Sequence, residues 1–284
     1  MNQGESLLTY IWHDCFVYRS ADCVIVFDYW CNPHRPYNLS GQHFDEYLME
    51  TARVHDDEYL PVYFIVSHHH KDHFNKNIFE WSRRLPRVHY IISKDVERAV
   101  KYMLKPDSTY KGPNKVEPQL VTTIRPGEQY TDELIRVHAF GSTDIGNSYV
   151  VEADGLRIFH AGDLNAWIWR DESTESENRQ ALCDYLSKLE DIAQQFESLD
   201  VAMFPVDARE GLDAWEGAFR LVHRIDVSQF IPMHFCLYET DKQQIEYIRK
   251  ATDFARYANP EHGCYCAMTQ PFESMIISHR SERY

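Results

Sequence analysis

The stretch Ser67-His68-His69-His70-Lys71-Asp72-His73 places four imidazoles and one carboxylate within seven residues. Neutral imidazole and carboxylate are the donors that zinc, iron and manganese take. The apolar run before it, Val62 to Val66, reads as a buried strand. The segment after it, Phe74 to Trp81, reads as the start of a helix. His68 and His70 alternate, so in extended chain their side chains point the same way. Asp72 and His73 fall where the chain turns and approach the same point from another side. Two further donors follow apolar runs: Asp163 after Arg157 to His160, and His234 after Phe230 to Met233. Gly162 permits a sharp turn just before Asp163. Donors at strand ends can converge on one rim of a sheet, held rigidly by the strands.

The elements that must carry these residues alternate along 284 residues. Strands are expected at Leu7–Trp12, Cys15–Tyr18 and Cys23–Tyr29, the last holding Asp28 at its end. A helix capped at Asn38-Leu39-Ser40 is expected to run to about Val54. Val88–Ile92 reads as a strand and Ser93–Leu104 as a helix, with Val96, Ala99, Val100 and Met103 on one face. Lys105 to Pro118 is rich in proline and reads as a loop. Leu120–Ile124, Ile135–Phe140, Ser148–Glu152 and Arg157–His160 read as strands, with Asp154-Gly155 as a hairpin turn. Asn178–Phe196 has three-four apolar spacing throughout, from Leu182 and Leu186 to Ile192. The acidic run Asp171 to Glu177 before it reads as a solvated loop. Val201–Val206 and Gln229–Pro232 are expected strands, Leu212–Ile225 and Thr240–Tyr257 helices, and Phe272–Ile277 a closing strand. In Leu212–Ile225 the expected inward residues are Trp215, Ala218, Phe219 and Val222.

Composition narrows the function classes. The net charge of −15 disfavours nucleic acid and anionic membranes as partners. No run approaches the roughly 18 apolar residues of a membrane span. No basic region precedes an apolar stretch at the N-terminus, so no signal peptide is expected. The seven cysteines are odd in number and form no CxxC pair. Reduced thiols and a cytoplasmic location are the simpler expectation. No linker-like stretch divides the chain, so one domain over 1–284 is expected.

With its order and spacing, His68-x-His70-x-Asp72-His73, then Gly162-Asp163, then His234 resembles the metallo-β-lactamase superfamily of hydrolases, over about residues 8 to 278. The resemblance implies an α/β fold, a four-layered αββα sandwich with a metal centre on one rim. It implies one or two divalent ions, with zinc expected and manganese or iron compatible. Carried over, His68 and His70 serve one ion, Asp72, His73 and His234 the second, and Asp163 bridges. The family's third histidine for the first ion usually lies in a Gly-His-Thr/Ser segment. Here that segment is Gly141-Ser142-Thr143-Asp144, so Ser142 stands where the histidine would. Either Asp144 supplies an oxygen instead, or Ser142 acts through water, or the first ion is held weakly or not at all. Asp144 is slightly favoured, and His138 is the poorer candidate.

Further features resemble the ascorbate-6-phosphate lactonase branch: His13 near the N-terminus and Asp28 after an early strand. Asp28 is expected to hydrogen-bond beneath the centre. His13, Trp167, Arg170 and Arg209 are candidates for the substrate pocket. The arginines would clamp a phosphate or carboxylate. Trp169 follows the same strand end, and Cys236 lies two residues after His234. Divalent ions would bring the pKa of a bound water towards neutrality, and Asp72 would orient that water and carry its proton. The expected activity is hydrolysis of a small ester, lactone or phosphoester. Two alternatives stand beside it: a nuclease of the same fold, and a metal-binding or oligomer-forming protein whose altered 141–143 segment has abolished catalysis.

Overall fold

The computed structural model describes residues 5–29, 41–105, 108–235, 241–260 and 267–278. The expected cap at Asn38–Ser40 and the position of Cys236 lie outside them. The first sheet has seven strands: β1 (Glu5–Trp12), β2 (Cys15–Arg19), β3 (Val24–Phe27), β6 (Val62–Val66), β7 (Val88–Ile92), β8 (Val121–Thr123) and β15 (Ser274–Ser278), in the order β15-β1-β2-β3-β6-β7-β8. A small hairpin, β4 (Arg53–His55) and β5 (Glu58–Tyr59), stands apart. The second sheet contains β9 (Gln129–Thr131), β10 (Ile135–Gly141), β11 (Asn147–Ala153), β12 (Leu156–His160), β13 (Ser198–Pro205) and β14 (Asp226–Met233), in the order β14-β13-β12-β11-β10-β9. Strands β3, β6, β7 and β8 run parallel, as do β12, β13 and β14.

Alternation sorts the side chains into layers. In β3, Ile25 and Phe27 face the second sheet, while Val24 and Val26 face the outer helices. Those outer elements are α1 (Gly41–Ala52), the 3₁₀ segment Lys76–Arg83 and α2 (Lys94–Leu104), with Phe44, Leu48, Phe79, Trp81, Val96 and Val100 inward. On the far side, α3 (Glu175–Ala193), α4 (Glu216–Arg224) and α5 (Asp241–Ala258) cover the second sheet. The layers are therefore helix, sheet, sheet, helix, as expected. All five residues of β6 are buried. At about 1.5–3 kcal/mol for each fully buried apolar side chain, such a run fixes firmly the loop that leaves it.

Several boundaries differ from the sequence expectation. The helix expected after the histidine tract is a 3₁₀ segment that starts only at Lys76, capped by the Asn75 side chain. Helix α3 starts at Glu175, inside the acidic run read as loop, because Thr174 and Glu177 form a capping box. Leu186 of the apolar stripe is partly exposed, and Tyr185, Leu189, Ile192 and Ala193 are the buried residues. Trp215 and Phe219 are also partly exposed, and Leu212 is fully so. The 3₁₀ segment Ala208–Asp213 takes the place of the expected first turn, so α4 begins at Glu216 and buries Gly217, Ala218 and Leu221. Strands β9, β4 and β5 had no clear pattern in the sequence.

Candidate metal centre

All the predicted donors leave the same rim of the sandwich. His68 to His73 follow β6, and Asp28 follows β3. In the second sheet, Asp163 follows β12 and His234 follows β14. Asp144 lies in the β10–β11 turn. These are the carboxyl ends of the parallel strands, where an open crevice forms. Two glycines let the sheets meet there. A Cβ on Gly162 (φ 51°) would lie 2.7 Å from Ser67 Cβ, and one on Gly146 (φ 77°) would strike the Ser67 carbonyl and His68. Asn147 N–H donates to Ser67 O at 3.0 Å, and Tyr149 Oη to Val66 O at 2.9 Å. The histidine tract is thereby tied to the opposite sheet.

Asp163 occupies the middle. Its Oδ2 lies 3.3 Å from His68 Nε2; its Oδ1 lies 3.1 Å from His73 Nε2 and 3.2 Å from His234 Nε2. His70 Nδ1 is 3.0 Å from His68 Nε2 and 3.5 Å from Asp144 Oδ2. Asp72 Oδ2 is 4.0 Å from His73 Nε2 and 3.7 Å from His13 Nε2. His73 Nε2 and Asp163 Oδ1 are buried close together, yet neither makes a hydrogen bond. With metal–nitrogen arms of about 2.0–2.1 Å, neighbouring donors of a tetrahedral ion lie roughly 3.3–3.4 Å apart. The spacing and the orphaned buried atoms fit donors aimed at a shared ion. Three groups emerge among the described residues, each with its ligand atoms within 4.8 Å of one another: His68, His70, Asp144 and Asp163 on the outside, His13, Asp14, His73 and His234 inside, and Asp28 behind His68 and His73.

The far nitrogen of each central imidazole is held. Ser67 Oγ donates to Asp28 Oδ2 at 2.5 Å, so the 2.9 Å contact with His68 Nδ1 is a donation from Nδ1–H. That leaves the His68 Nε2 lone pair for the centre. Asp28 Oδ2 is also 3.0 Å from His73 Nδ1, and Asp207 Oδ2 is 3.0 Å from His234 Nδ1. Carboxylates behind imidazoles fix tautomer and raise basicity. Burial would raise Asp163, but His73 and His234 hold it well below the usual carboxyl range. Burial would lower His73 and His234, but Asp163 and Asp14 hold both well above the usual imidazole value. Burial, helped by His234 and His73, keeps His13 well below it. An ion entering this cluster would displace protons.

Of the alternatives left open at Ser142, the geometry brings in Asp144; Ser142 Oγ accepts from Asp144 N–H at 3.3 Å and braces the turn. His138 pairs instead with Glu152. Trp167 (φ 46°) donates from Nε1 to Asp163 O at 2.8 Å, and its ring stands 5.3 Å from that of His234. Arg209 forks onto Asp207, behind His234. Arg170 forks onto Asp213 at the surface, lining a cleft of about 220 Å³ that no donor residue borders. Both guanidinium groups already face a carboxylate, so the anion clamp expected of them is weakened. The sequence reading missed Asp14, Asp207 and Ser67. Asp207 carries the signal that marked Asp28, an acid just past an apolar strand. Asp14 was visible only as the neighbour of His13. Burial pushes its pKa up to about 7, although His234 and His73 pull the other way.

A family model described as the beta-lactamase superfamily domain matches residues 7–183, more than half of the chain. The chain belongs to the beta-lactamase superfamily. No curated protein matches it significantly in sequence. Among solved structures, the superfamily chain is similar to the metallo hydrolase Igni18 from the archaeon Ignicoccus hospitalis KIN4/I, with TM-score 0.61 and 15% identity over 97% of this chain and 100% of that one. A possible metal-dependent hydrolase from Veillonella parvula DSM 2008 aligns with TM-score 0.58 and 13% identity, over 95% and 98% of the two chains. CmlA, a diiron beta-hydroxylase from Streptomyces venezuelae, aligns with TM-score 0.56 and 10% identity, over 96% of this chain and 54% of that one. At these identities the likeness establishes the fold.

Proposed function

We propose that this chain is a metal-dependent hydrolase acting on a small ester, lactone or phosphoester. The observation that carries the reading is the two-sided contact of Asp163: one oxygen faces His68, the other His73 and His234. A carboxylate so placed can bridge two divalent ions, for which zinc is the first choice and manganese or iron the alternatives. Such ions supply a water of lowered pKa and polarise a carbonyl or phosphoryl oxygen. Asp72 keeps a quarter of its side chain exposed while facing His13 and His73. It is the residue placed to orient a water and accept its proton. His70 and Asp144 are about two-fifths exposed and leave the outer side open to substrate. Trp167 offers an apolar edge beside His234 for a substrate's non-reacting part. The charge of −15 favours a small molecule over a nucleic acid. The ascorbate-6-phosphate lactonase branch is the finer placement we favour.

Elemental analysis of the purified protein, then a panel of lactones, esters and phosphodiesters with and without chelator, tests this. Bound metal and chelator-sensitive turnover that Asp72→Asn abolishes are expected. Metal-free protein with full turnover would overturn it. One observation favours a second reading: the outer set of His68, His70, Asp144 and Asp163 joins two imidazoles to two carboxylates, donors that iron also takes, and CmlA, of the same fold, is a diiron beta-hydroxylase. Oxygen uptake by iron-loaded protein would separate oxidation from hydrolysis.

A further inference from the structure

His13 sits in the two-residue turn between β1 and β2, fully buried and with φ 55°. Its N–H donates to Tyr10 Oη at 2.9 Å, which fixes the turn. Its ring lies 4.3 Å from that of His234 and 5.6 Å from that of His73, and its Nε2 is 3.7 Å from Asp72 Oδ2. We propose that His13 is a ligand of the inner ion, which the family motif does not supply, and that the two ions are therefore held unequally. The inner ion takes His13, His73 and His234 with Asp72 and Asp163, which face the Nε2 atoms; Asp14, 3.5 Å from His73 Nδ1, stands behind that ring. The outer ion takes His68 and His70 with Asp144 and Asp163. This rests on the metal-centre reading above.

Three features carry it. The first is distance: equatorial donors of a five-coordinate ion with arms of about 2.1 Å lie roughly 3.6 Å apart, close to the spacing of His13 Nε2 and Asp72 Oδ2. The second is the backbone. At φ 55° His13 holds a left-handed turn position that Asn, Asp and His take more readily than other side chains, and the turn buries the imidazole completely among the donors instead of presenting it to solvent. The third is solvent access. His13, His73 and His234 are at most 4% exposed, whereas the side chains of His70 and Asp144 are 44% and 40% exposed. The outer ion therefore meets water and chelators through two well-exposed ligands, and the inner one only beside Asp72, whose side chain is 25% exposed.

The test uses the full chain loaded with Zn(II) or Co(II). Dialysis against a mild chelator is expected to remove one equivalent quickly and the second slowly. X-ray absorption of the one-ion form is expected to count three imidazoles around the metal. His13→Asn, chosen because Asn tolerates positive φ, is expected to weaken retention of the slow equivalent by a hundredfold or more. That exceeds the 10–100-fold typical of residues that only support a ligand. The fast equivalent is expected to stay unchanged. Two imidazoles in the one-ion form, or an unaltered release profile in a His13→Asn protein of normal melting temperature, would overturn the assignment of His13 and leave the metal centre standing. If the variant does not fold, the imidazole count decides alone. Failure of the unmutated chain to hold any metal would overturn both readings.

Discussion

Asp132 precedes β10 and accepts four hydrogen bonds: from Tyr63 Oη at 2.6 Å, Tyr130 Oη at 2.8 Å, and the N–H groups of Leu134 and Ile135 at 2.9 Å. Asp163 lies past the end of β12, at the other rim. It is buried, and its Oδ1 accepts no hydrogen bond although two imidazole nitrogens stand within 3.2 Å. The exposed carboxylate is saturated and the buried one is not. Water could satisfy the first with no help from the protein, while the second has no water to turn to. Hydrogen bonds saturate the structural carboxylate, whereas the buried one is ringed by imidazoles that hold its pKa down yet leave Oδ1 without a formed hydrogen bond, as suits a group reserved for a ligand.

Substitution at the two rims should therefore fail in different ways. The largest effect is expected from Asp163→Asn: metal content falls to at most one ion per chain, and turnover on whatever substrate the panel identifies drops on the order of a thousandfold, the several kcal/mol a metal centre supplies. Normal turnover with two retained ions would erase the distinction between the rims. Asp207→Asn comes next. It leaves His234 without the carboxylate behind Nδ1, so metal retention measured by chelator competition should weaken about 10–100-fold with the fold unchanged.

Asp132→Asn should show the opposite profile, with metal content untouched and stability reduced. Solvent screens this exposed group, so about 1 kcal/mol or less is expected in urea unfolding. Its pH dependence has a defined sign. Burial would raise Asp132, but the hydrogen bonds from Tyr63, Ile135, Leu134 and Tyr130 hold it below its ordinary 3.8. The folded chain thus binds its proton less readily than the unfolded one. The stabilisation is present above the ordinary value and lost as pH falls through the lowered one, so Asp132→Asn should shrink the destabilisation on acidification below about pH 4. An unchanged acid limb would show the four hydrogen bonds to be inert. The smallest effect belongs to Arg170→Ala, with no measurable change in urea unfolding or in metal binding, since this exposed arginine and its partner Asp213 lie in the surface cleft. A marked rise in KM for that variant would place Arg170 in the substrate pocket.

The part of this contrast that could be read in the sequence follows from how each residue is specified. His68, His70, Asp72 and His73 are consecutive and follow an apolar run, so local pattern revealed them. Asp163 and His234 lie far apart in sequence, but each marks the end of a strand. Asp144 emerged as a substitute within a recognisable segment. Asp14, Asp207 and the capture of Arg209 depend on which loop lies behind which ring, and no local periodicity encodes that. The strands were legible from their apolar runs, whereas their stacking into four layers was implied by the family resemblance and by no local pattern. The start of α4 was not, because Trp215 and Phe219 have helical spacing yet remain partly exposed. The start of α3 was hidden because a capping box was mistaken for solvated charge.

Tyr63 of the first sheet reaches across to Asp132 beside the second, and at the far rim Gly146 and Gly162 press against Ser67. A sandwich pinned at both ends cannot gape. Among the described residues, the most open flank of the chemical end lies beside His70 and Asp144, so the loops there would set the girth of an acceptable molecule more than any parting of the sheets.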